Sequence, residues 1–147
     1  MRKTTAGKAL LGLVNIAFIA IAATAVISAI PPQYNFSLAR LSDNVVGPVR
    51  TVTVRFNVTN NGFYDIGNFY VSLSVSGPTG LVLDAAQTPP TTIARSSTHS
   101  AVISLNLNET YISANHGNYA FLITVHSEFA LGLIKMTVQA PSTTSYP

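Results

Sequence analysis

Apolar and polar residues alternate with a period of two in five separate segments of this chain of 147 residues. Successive side chains of a β-strand point to opposite faces, so this alternation predicts strands with one buried and one solvated face. The apolar members of the five segments are Tyr34, Phe36 and Leu38; Val52, Val54, Phe56 and Val58; Phe69, Val71, Leu73 and Val75; Ile103, Leu105 and Leu107; and Tyr119, Phe121, Ile123 and Val125.

Shorter apolar runs at residues 81–83 and 131–138 bring the number of expected strands to about seven. Turn-forming sequences separate the strands, and no helical stretch of useful length follows residue 30. This pattern is typical of a mainly β fold, and we expect an immunoglobulin-like antiparallel β-sandwich over residues 31–140. Residues 141–147 are rich in Ser, Thr and Pro, which predicts a flexible tail.

An uncharged, predominantly apolar segment occupies residues 9–30, ahead of the expected sandwich. As a helix, its 22 residues would span roughly 33 Å, enough for a hydrocarbon layer of about 30 Å. Pro31 and Pro32 follow at once and would end such a helix, because proline has no backbone N–H and restricts the residue before it. The sequence therefore predicts a transmembrane helix over residues 9–30, preceded by a basic tail over residues 1–8.

The formal net charge of +3 comes entirely from the residues before the apolar segment. Arg2, Lys3 and Lys8 lie there, and the five remaining cations balance the five acids. The positive-inside rule places this end in the cytoplasm and the C-terminus outside the cell. No cation cluster remains that could follow a phosphate backbone, so we expect no nucleic-acid partner. The apolar segment predicts membrane lipid as a partner.

Three fates are open for the apolar segment. A retained single-pass anchor is the first, because the run exceeds the roughly 7–15 apolar residues of a signal peptide. A cleaved secretory signal is the second, with a small-residue cleavage site at residues 23–25 or a poorer one at residues 28–29. The third is proteolytic processing within the basic-to-apolar junction.

The junction Lys8-Ala9-Leu10-Leu11 carries a basic residue, a small residue and two apolar residues. It resembles the prepilin-peptidase site of archaeal type IV pilins, which implies cleavage between Ala9 and Leu10. In that family the apolar helix packs into a filament core while a β-sandwich head faces outward. The resemblance implies a pilin-like filament subunit that assembles with copies of itself.

A second resemblance covers about 90 residues of the expected sandwich. Residues 52–75 combine a strand, an Asn-Asn-Gly turn, an aromatic-acidic step and a second strand; residues 90–107 add a proline-rich approach and another strand. This arrangement is similar to the water-stress, late-embryogenesis-abundant type of β-sandwich and to adhesion-related β-domains of bacterial and archaeal surface proteins. In small archaeal proteins such a domain often follows one membrane span. The resemblance implies a surface location and a role in stress tolerance, adhesion or assembly. For a surface-anchored sandwich, other envelope proteins are the expected partners.

Three Asn-x-Ser/Thr sequons lie on the side expected to face outward. Their acceptors are Asn35, Asn57 and Asn108, all on polar strand faces or near turns, and we expect at least one to carry a glycan. Phe63 and Tyr64 belong to a set of aromatics that could pack a membrane-proximal surface, although packing at the rim of the core explains them more simply.

No catalytic, metal or cofactor-binding residue is predicted. The chain has no cysteine, its three histidines have no metal-ligand spacing, and its acids lie far apart in the sequence. No nucleophile elbow or phosphate loop is present. We therefore expect a non-enzymatic, membrane-anchored cell-surface protein with a structural or binding role, and a pilin-like filament subunit as the alternative.

Overall fold

The computed structural model of the chain describes residues 34–129 and 132–146, which form eight strands and one short helix. The predicted transmembrane helix and the processing position at Ala9 and Leu10 lie outside these residues. No helix of the described part is long and apolar enough to cross a membrane. The elements are β1 (Tyr34–Val46), β2 (Val49–Asn60), β3 (Ile66–Ser76), β4 (Val82–Gln87), β5 (Thr91–Ile93), β6 (Ser97–Asn108), α1 (Glu109–Ala114), β7 (Gly117–Phe129) and β8 (Ile134–Tyr146).

The strands form two antiparallel sheets, which confirms the prediction of a mainly β fold. One sheet has three strands in the order β1-β2-β6. The other has five, in the order β4-β3-β7-β8, and its fifth strand, β5, pairs with β3. The two sheets pack face to face as a β-sandwich.

The apolar members of the alternating segments build the core between the sheets. Side chains on the inner faces of β2, β3 and β6 are almost completely buried, and their polar neighbours point outward. The rings of Phe36 and Phe56 stack between neighbouring strands at 5.8 Å. The largest fully buried side chains are Tyr119, Phe56, Phe69, Phe129, Ile66, Leu73, Ile93, Leu105 and Leu107.

The structure differs from the expectation at residues 141–146, which continue strand β8 and do not form a flexible tail. Pro141 pairs with Leu122, and Tyr146 pairs with Gly117 at the far end of β7. A proline fits here because β8 is an edge strand, with one side of its backbone unpaired. Strand β8 pairs with β7 through backbone hydrogen bonds, so its Ser- and Thr-rich side chains do not prevent the pairing.

Three smaller differences follow from local backbone geometry. Strand β1 continues to Val46 through a bulge between Arg40 and Ser42, which interrupts the alternation. The three residues of β5 are too few to show a period. Helix α1 has only six residues and begins where Asn108 caps its first turn.

The strand registers define two ends of the sandwich. The end where the described chain begins, here called the entry end, carries Tyr34, the loops at residues 61–65 and 94–96, and the turn residues 132–133 before β8. The opposite end, called the far end, carries the β1–β2 turn, the β3–β4 turn and α1. These two ends position every candidate site described below.

Candidate functional sites

Two of the three sequons meet on the outer face of the three-stranded sheet. The β1–β2 register pairs Asn35 with Thr59 and Ser37 with Asn57. Each acceptor asparagine therefore lies opposite the hydroxyl residue of the other sequon. Diagonal neighbours across an antiparallel pair are about 7–8 Å apart, so glycans at the two positions would share one patch of surface.

The rest of this outer face is polar and almost uncharged. Cross-strand hydrogen bonds join the Thr51 hydroxyl to the Asn106 amide oxygen at 2.9 Å, and Thr53 to Ser104 at 3.1 Å. Thr59 is bonded to Thr98 at 2.9 Å. The hydroxyl of the second sequon is therefore already engaged in the folded sheet, where Asn57 is only partly exposed.

The third acceptor, Asn108, lies apart from this pair at the far end. It is the N-cap of α1, and its side-chain oxygen accepts a hydrogen bond from the Tyr111 backbone N–H at 3.1 Å. A glycan is attached through the side-chain nitrogen, so capping and modification use different atoms of the amide. Asn108 and Thr110 are both exposed, as are Asn35 and Ser37, so the Asn108 sequon is more accessible than the one at Asn57.

An ion-pair cluster joins the β1–β2 hairpin to the start of α1. The Arg50 guanidinium donates to Glu109 at 2.7 Å and to Asp43 at 3.1 Å. The Glu109 backbone N–H also bonds the Pro48 carbonyl at 2.8 Å. The hydrogen bond from Arg50 holds the pKa of Glu109 below its usual value, against an opposing effect of desolvation. The arrangement is a structural clamp.

Two other acids satisfy backbone donors. Asp65 accepts from the Arg95 N–H at 2.9 Å, which ties the β2–β3 loop to the β5–β6 turn. Asp84 accepts from the Asn106 N–H at 2.7 Å, a contact that joins strands β4 and β6 of the two sheets. These carboxylates act as caps of local structure.

The histidines are dispersed over the domain. His99 packs edge-on against Phe69 at 6.3 Å, and His126 stacks on Tyr70 at 4.4 Å. His116 is exposed in the turn before β7. Over residues 34–129 and 132–146, no three metal-ligating side chains come together.

Asn60 is a buried polar residue that the sequence pattern did not single out. Its side chain donates to the carbonyls of Tyr64 at 2.9 Å and Ile93 at 3.1 Å, and accepts from the Gly62 N–H at 3.0 Å. It is completely buried and holds the β2–β3 loop against β5. The Asn-Asn-Gly turn was the available signal, but it indicated a turn and not a buried anchor.

The entry end presents apolar side chains on two neighbouring loops. Phe63 in the β2–β3 loop is 58% exposed and Leu133 in the β7–β8 turn is 63% exposed. Phe63 borders a depression of about 480 Å³ that also includes Asp65, Arg95 and Gly132, the residue before Leu133. This apolar pair is a second feature that the alternation could not predict, because it lies between the strands.

The charges of the entry end balance. Lys135 pairs with Glu128 at 3.2 Å, and Asn68 donates to the same carboxylate at 3.3 Å. The hydrogen bonds from Asn68 and Lys135 lower the pKa of Glu128. With Asp65 beside Arg95, two acids and two bases offset one another at this end.

One long side of the sandwich is open. Asp84 and Asn106 join the sheets on the side of β4 and β6, whereas a cleft of about 160 Å³ separates β1 from β8 on the other. Leu38, Phe121 and Ile123 line this cleft together with Ser142. Leu38 is 44% exposed although it belongs to the inward-facing set of its strand. Both edge strands carry unpaired backbone groups along this side.

No family description and no curated protein sequence matches the chain. Solved structures of similar fold include the structural-genomics target SoR45, at 10% identity and a TM-score of 0.54 over 81% of this chain and 91% of that one. A protein from Archaeoglobus fulgidus matches at 12% identity and 0.50, over 77% and 96%.

A family 123 glycoside hydrolase from Clostridium perfringens is also similar, at 10% identity and a TM-score of 0.53. The match covers 77% of this chain but only 27% of the hydrolase. Likenesses at such low identity establish the fold alone. The chain thus has the fold of a β-sandwich domain.

Proposed function

We propose that this chain is a non-enzymatic, membrane-anchored cell-surface protein whose β-sandwich lies outside the cytoplasm in a structural or binding role. The observation that carries this proposal is the partition of charge around residues 9–30. All the excess positive charge precedes an uncharged segment of membrane-spanning length, and the sandwich begins only three residues after Pro31.

The finer fold assignment is an immunoglobulin-like sandwich. The order β1-β2-β6 corresponds to strands A-B-E of that fold, and β4-β3-β7-β8 corresponds to C′-C-F-G. The unusual element is β5, a short strand that pairs with β3 at the entry end. Domains of this architecture serve as spacers and binding modules, which suits the proposed role.

A binding or structural role is also supported by the partners of the acids. Asp43 and Glu109 bind Arg50, Glu128 binds Lys135, and Asp65 and Asp84 cap backbone N–H groups. A general acid or base needs a carboxyl group that can reach a substrate in a cleft. Here the carboxyl groups are engaged in stabilising strands and loops.

Topology can be tested with single cysteines, because the chain has none of its own. We expect a membrane-impermeant maleimide to label Arg55→Cys on intact cells, since Arg55 is exposed on the outer face of β2. The matched variant Lys3→Cys should react only after permeabilisation. Labelling of Lys3→Cys on intact cells would overturn the orientation, and recovery of the chain as a soluble monomer in the medium would overturn the anchor.

A pilin-like subunit is the second candidate. Two features favour it: the Lys8-Ala9-Leu10-Leu11 junction and the open side between β1 and β8, where edge strands could pair with another copy. The test is the first residue of the mature chain. A start at Leu10, with release of filaments when cells are sheared, supports the pilin. A start at Met1, with retention in membranes, supports the anchor.

A further inference from the structure

The entry end and the apolar segment are joined by a very short connection. Residues 31–33 are the only ones between Ile30 and Tyr34, where β1 begins. Four extended Cα–Cα steps reach at most about 14 Å. If residues 9–30 occupy the bilayer, the start of β1 is held within that distance of the hydrocarbon boundary.

That reach is comparable with the thickness of the polar headgroup layer. A bilayer is about 40–45 Å thick with its headgroups and about 30 Å without them, which leaves about 5–8 Å on each side. A reach of at most about 14 Å extends only about 6–9 Å beyond this layer, so any loop that lies beside Tyr34 at the entry end is within or close to the headgroup layer. The β2–β3 loop, the β5–β6 turn and the β7–β8 turn lie at this end, and the first and last of them carry exposed apolar side chains.

These loops carry the side chains that such a location requires. Phe63 and Leu133 are large, apolar and more than half exposed, and transfer of such side chains out of water is favourable. The surrounding charges, Asp65 with Arg95 and Glu128 with Lys135, sum to zero. Attraction to anionic lipid is therefore not the basis of the contact.

We propose that the entry end is a bilayer-contact surface, in which Phe63 and Leu133 insert into the headgroup region and hold the sandwich upright on the membrane. This inference rests on the proposed anchor at residues 9–30. Exposed apolar residues also occur at the far end, where Val46 is 71% exposed and Leu81 is 58% exposed. Only the connection at Tyr34 distinguishes the two ends, so the far-end residues are matched controls.

The test uses the full chain reconstituted into phosphatidylcholine vesicles. Single cysteines replace Phe63, Leu133, Val46 or Leu81 in four variants, and each carries the same environment-sensitive fluorophore. Brominated phosphatidylcholine quenches labels at the level of lipid, and iodide quenches labels in water. We expect several-fold stronger bromolipid quenching at positions 63 and 133 than at 46 and 81, with the reverse order for iodide and no dependence on added anionic lipid.

Flotation of the vesicles separates failure of this contact from failure of the anchor. If the chain floats with the vesicles but all four labels respond alike to iodide, the anchor stands and the contact is overturned. If labels at 63 and 133 are shielded from iodide yet not quenched by bromolipid, those residues face protein, which also overturns it. If the chain does not float, both proposals fall.

Discussion

At the scale of single residues, Asn60 determines the shape of the entry end. A buried amide with three hydrogen bonds fixes the path of the β2–β3 loop, on which Phe63 is carried. Removing the amide leaves buried backbone groups without a hydrogen-bond partner. The free-energy cost of such unsatisfied groups exceeds the net stabilisation that the hydrogen bonds provide. The side chain thus couples domain stability to the geometry of the proposed membrane contact.

We expect Asn60→Ala to lower the free energy of unfolding by about 2 kcal/mol or more, because it leaves the Tyr64 and Ile93 carbonyls unsatisfied. Chemical denaturation measures the change. Asn44→Ala, at an exposed position of edge strand β1, is the control and should change stability little. Equal effects of the two substitutions would show that the buried amide has no special role.

The ion pair between Arg50 and Glu109 predicts a dependence of stability on pH. Because the folded pKa of Glu109 is lowered below its ordinary value of 4.5, the pair stabilises the fold above that pH. Its contribution is lost as pH falls through the lowered folded pKa. We expect Glu109→Gln to reduce the acid-induced loss of stability, measured as the unfolding midpoint at a series of pH values.

Glu128 has a lowered pKa for a similar reason, so part of the acid sensitivity should remain in that variant. The double variant Glu109→Gln, Glu128→Gln should have the flattest profile of the series. An unchanged profile in the double variant would contradict a role for these two carboxylates.

At the scale of elements, the location of each sequon in a strand or at a helix start governs its accessibility. The Asn57 sequon lies within the central strand of a sheet, whereas the Asn108 sequon lies at the exposed start of α1. The sequence does not distinguish the three sequons, because each is an Asn-x-Ser/Thr triplet. Only the pairing of strands separates them.

We expect glycan occupancy to be higher at Asn108 than at Asn57 in a host with asparagine-linked glycosylation. Thr110→Ala removes the Asn108 sequon while keeping its cap of α1, and should lower the mass of the chain by one glycan. Asn57→Gln is the matched variant and should lower it less on average. Glycopeptide mapping that finds Asn57 occupied and Asn108 empty would contradict this prediction.

Strand β8 shows how an element can form without a strong side-chain pattern. Its last residues are Ser- and Thr-rich, yet they pair with β7 along its whole length. The strand covers an edge of β7 that would otherwise expose backbone groups and the flank of Phe121. Its C-terminal half is therefore part of the fold and not an appendage.

We expect truncation after Ala140 to lower the unfolding free energy by about 1–3 kcal/mol and to promote association, because it bares the edge of β7. Thermal unfolding and size-exclusion chromatography measure the two effects. Thr143→Ser, an outward-facing change in the same region, should have neither effect. If the truncated chain were as stable as the untruncated one, residues 141–147 would have no role in stabilising the fold.

At the scale of the whole molecule, the two sheets are closed on one side and open on the other. The cleft between β1 and β8 leaves inward-facing apolar side chains such as Leu38 in contact with solvent. Neither strand shows this by itself, because the opening depends on how the sheets are placed relative to one another. The open side is also where a second copy would bind if the pilin-like alternative holds.

We expect Ser142→Val to stabilise the sandwich by about 0.5 kcal/mol, because its side chain would cover part of the apolar lining of the cleft. Thr143→Val adds a similar strand-forming side chain to the outer face of the same strand, so it controls for intrinsic propensity. The difference between the two unfolding free energies isolates the contribution of the cleft. A larger increase in unfolding free energy from Thr143→Val than from Ser142→Val would contradict a stabilising effect of covering the cleft.

The sequence by itself determined the strands with alternating side chains, the turns between them and the separation of charge from the apolar segment. Val52 to Val58 and Phe69 to Val75 could be predicted because the period of two follows directly from the geometry of an extended backbone. Pattern of this kind is local. It records which face of a strand is buried but not which strand lies beside it.

The tertiary structure alone decided that residues 141–146 complete β8, that Asn35 and Asn57 share one surface, and that Phe63 and Leu133 are both exposed at the entry end. The physical reason is the nature of sheet pairing. Strands join through backbone N–H and C=O groups, which every residue except proline possesses in the same form. Neighbours that are distant in the chain are therefore selected by the packing of the whole domain.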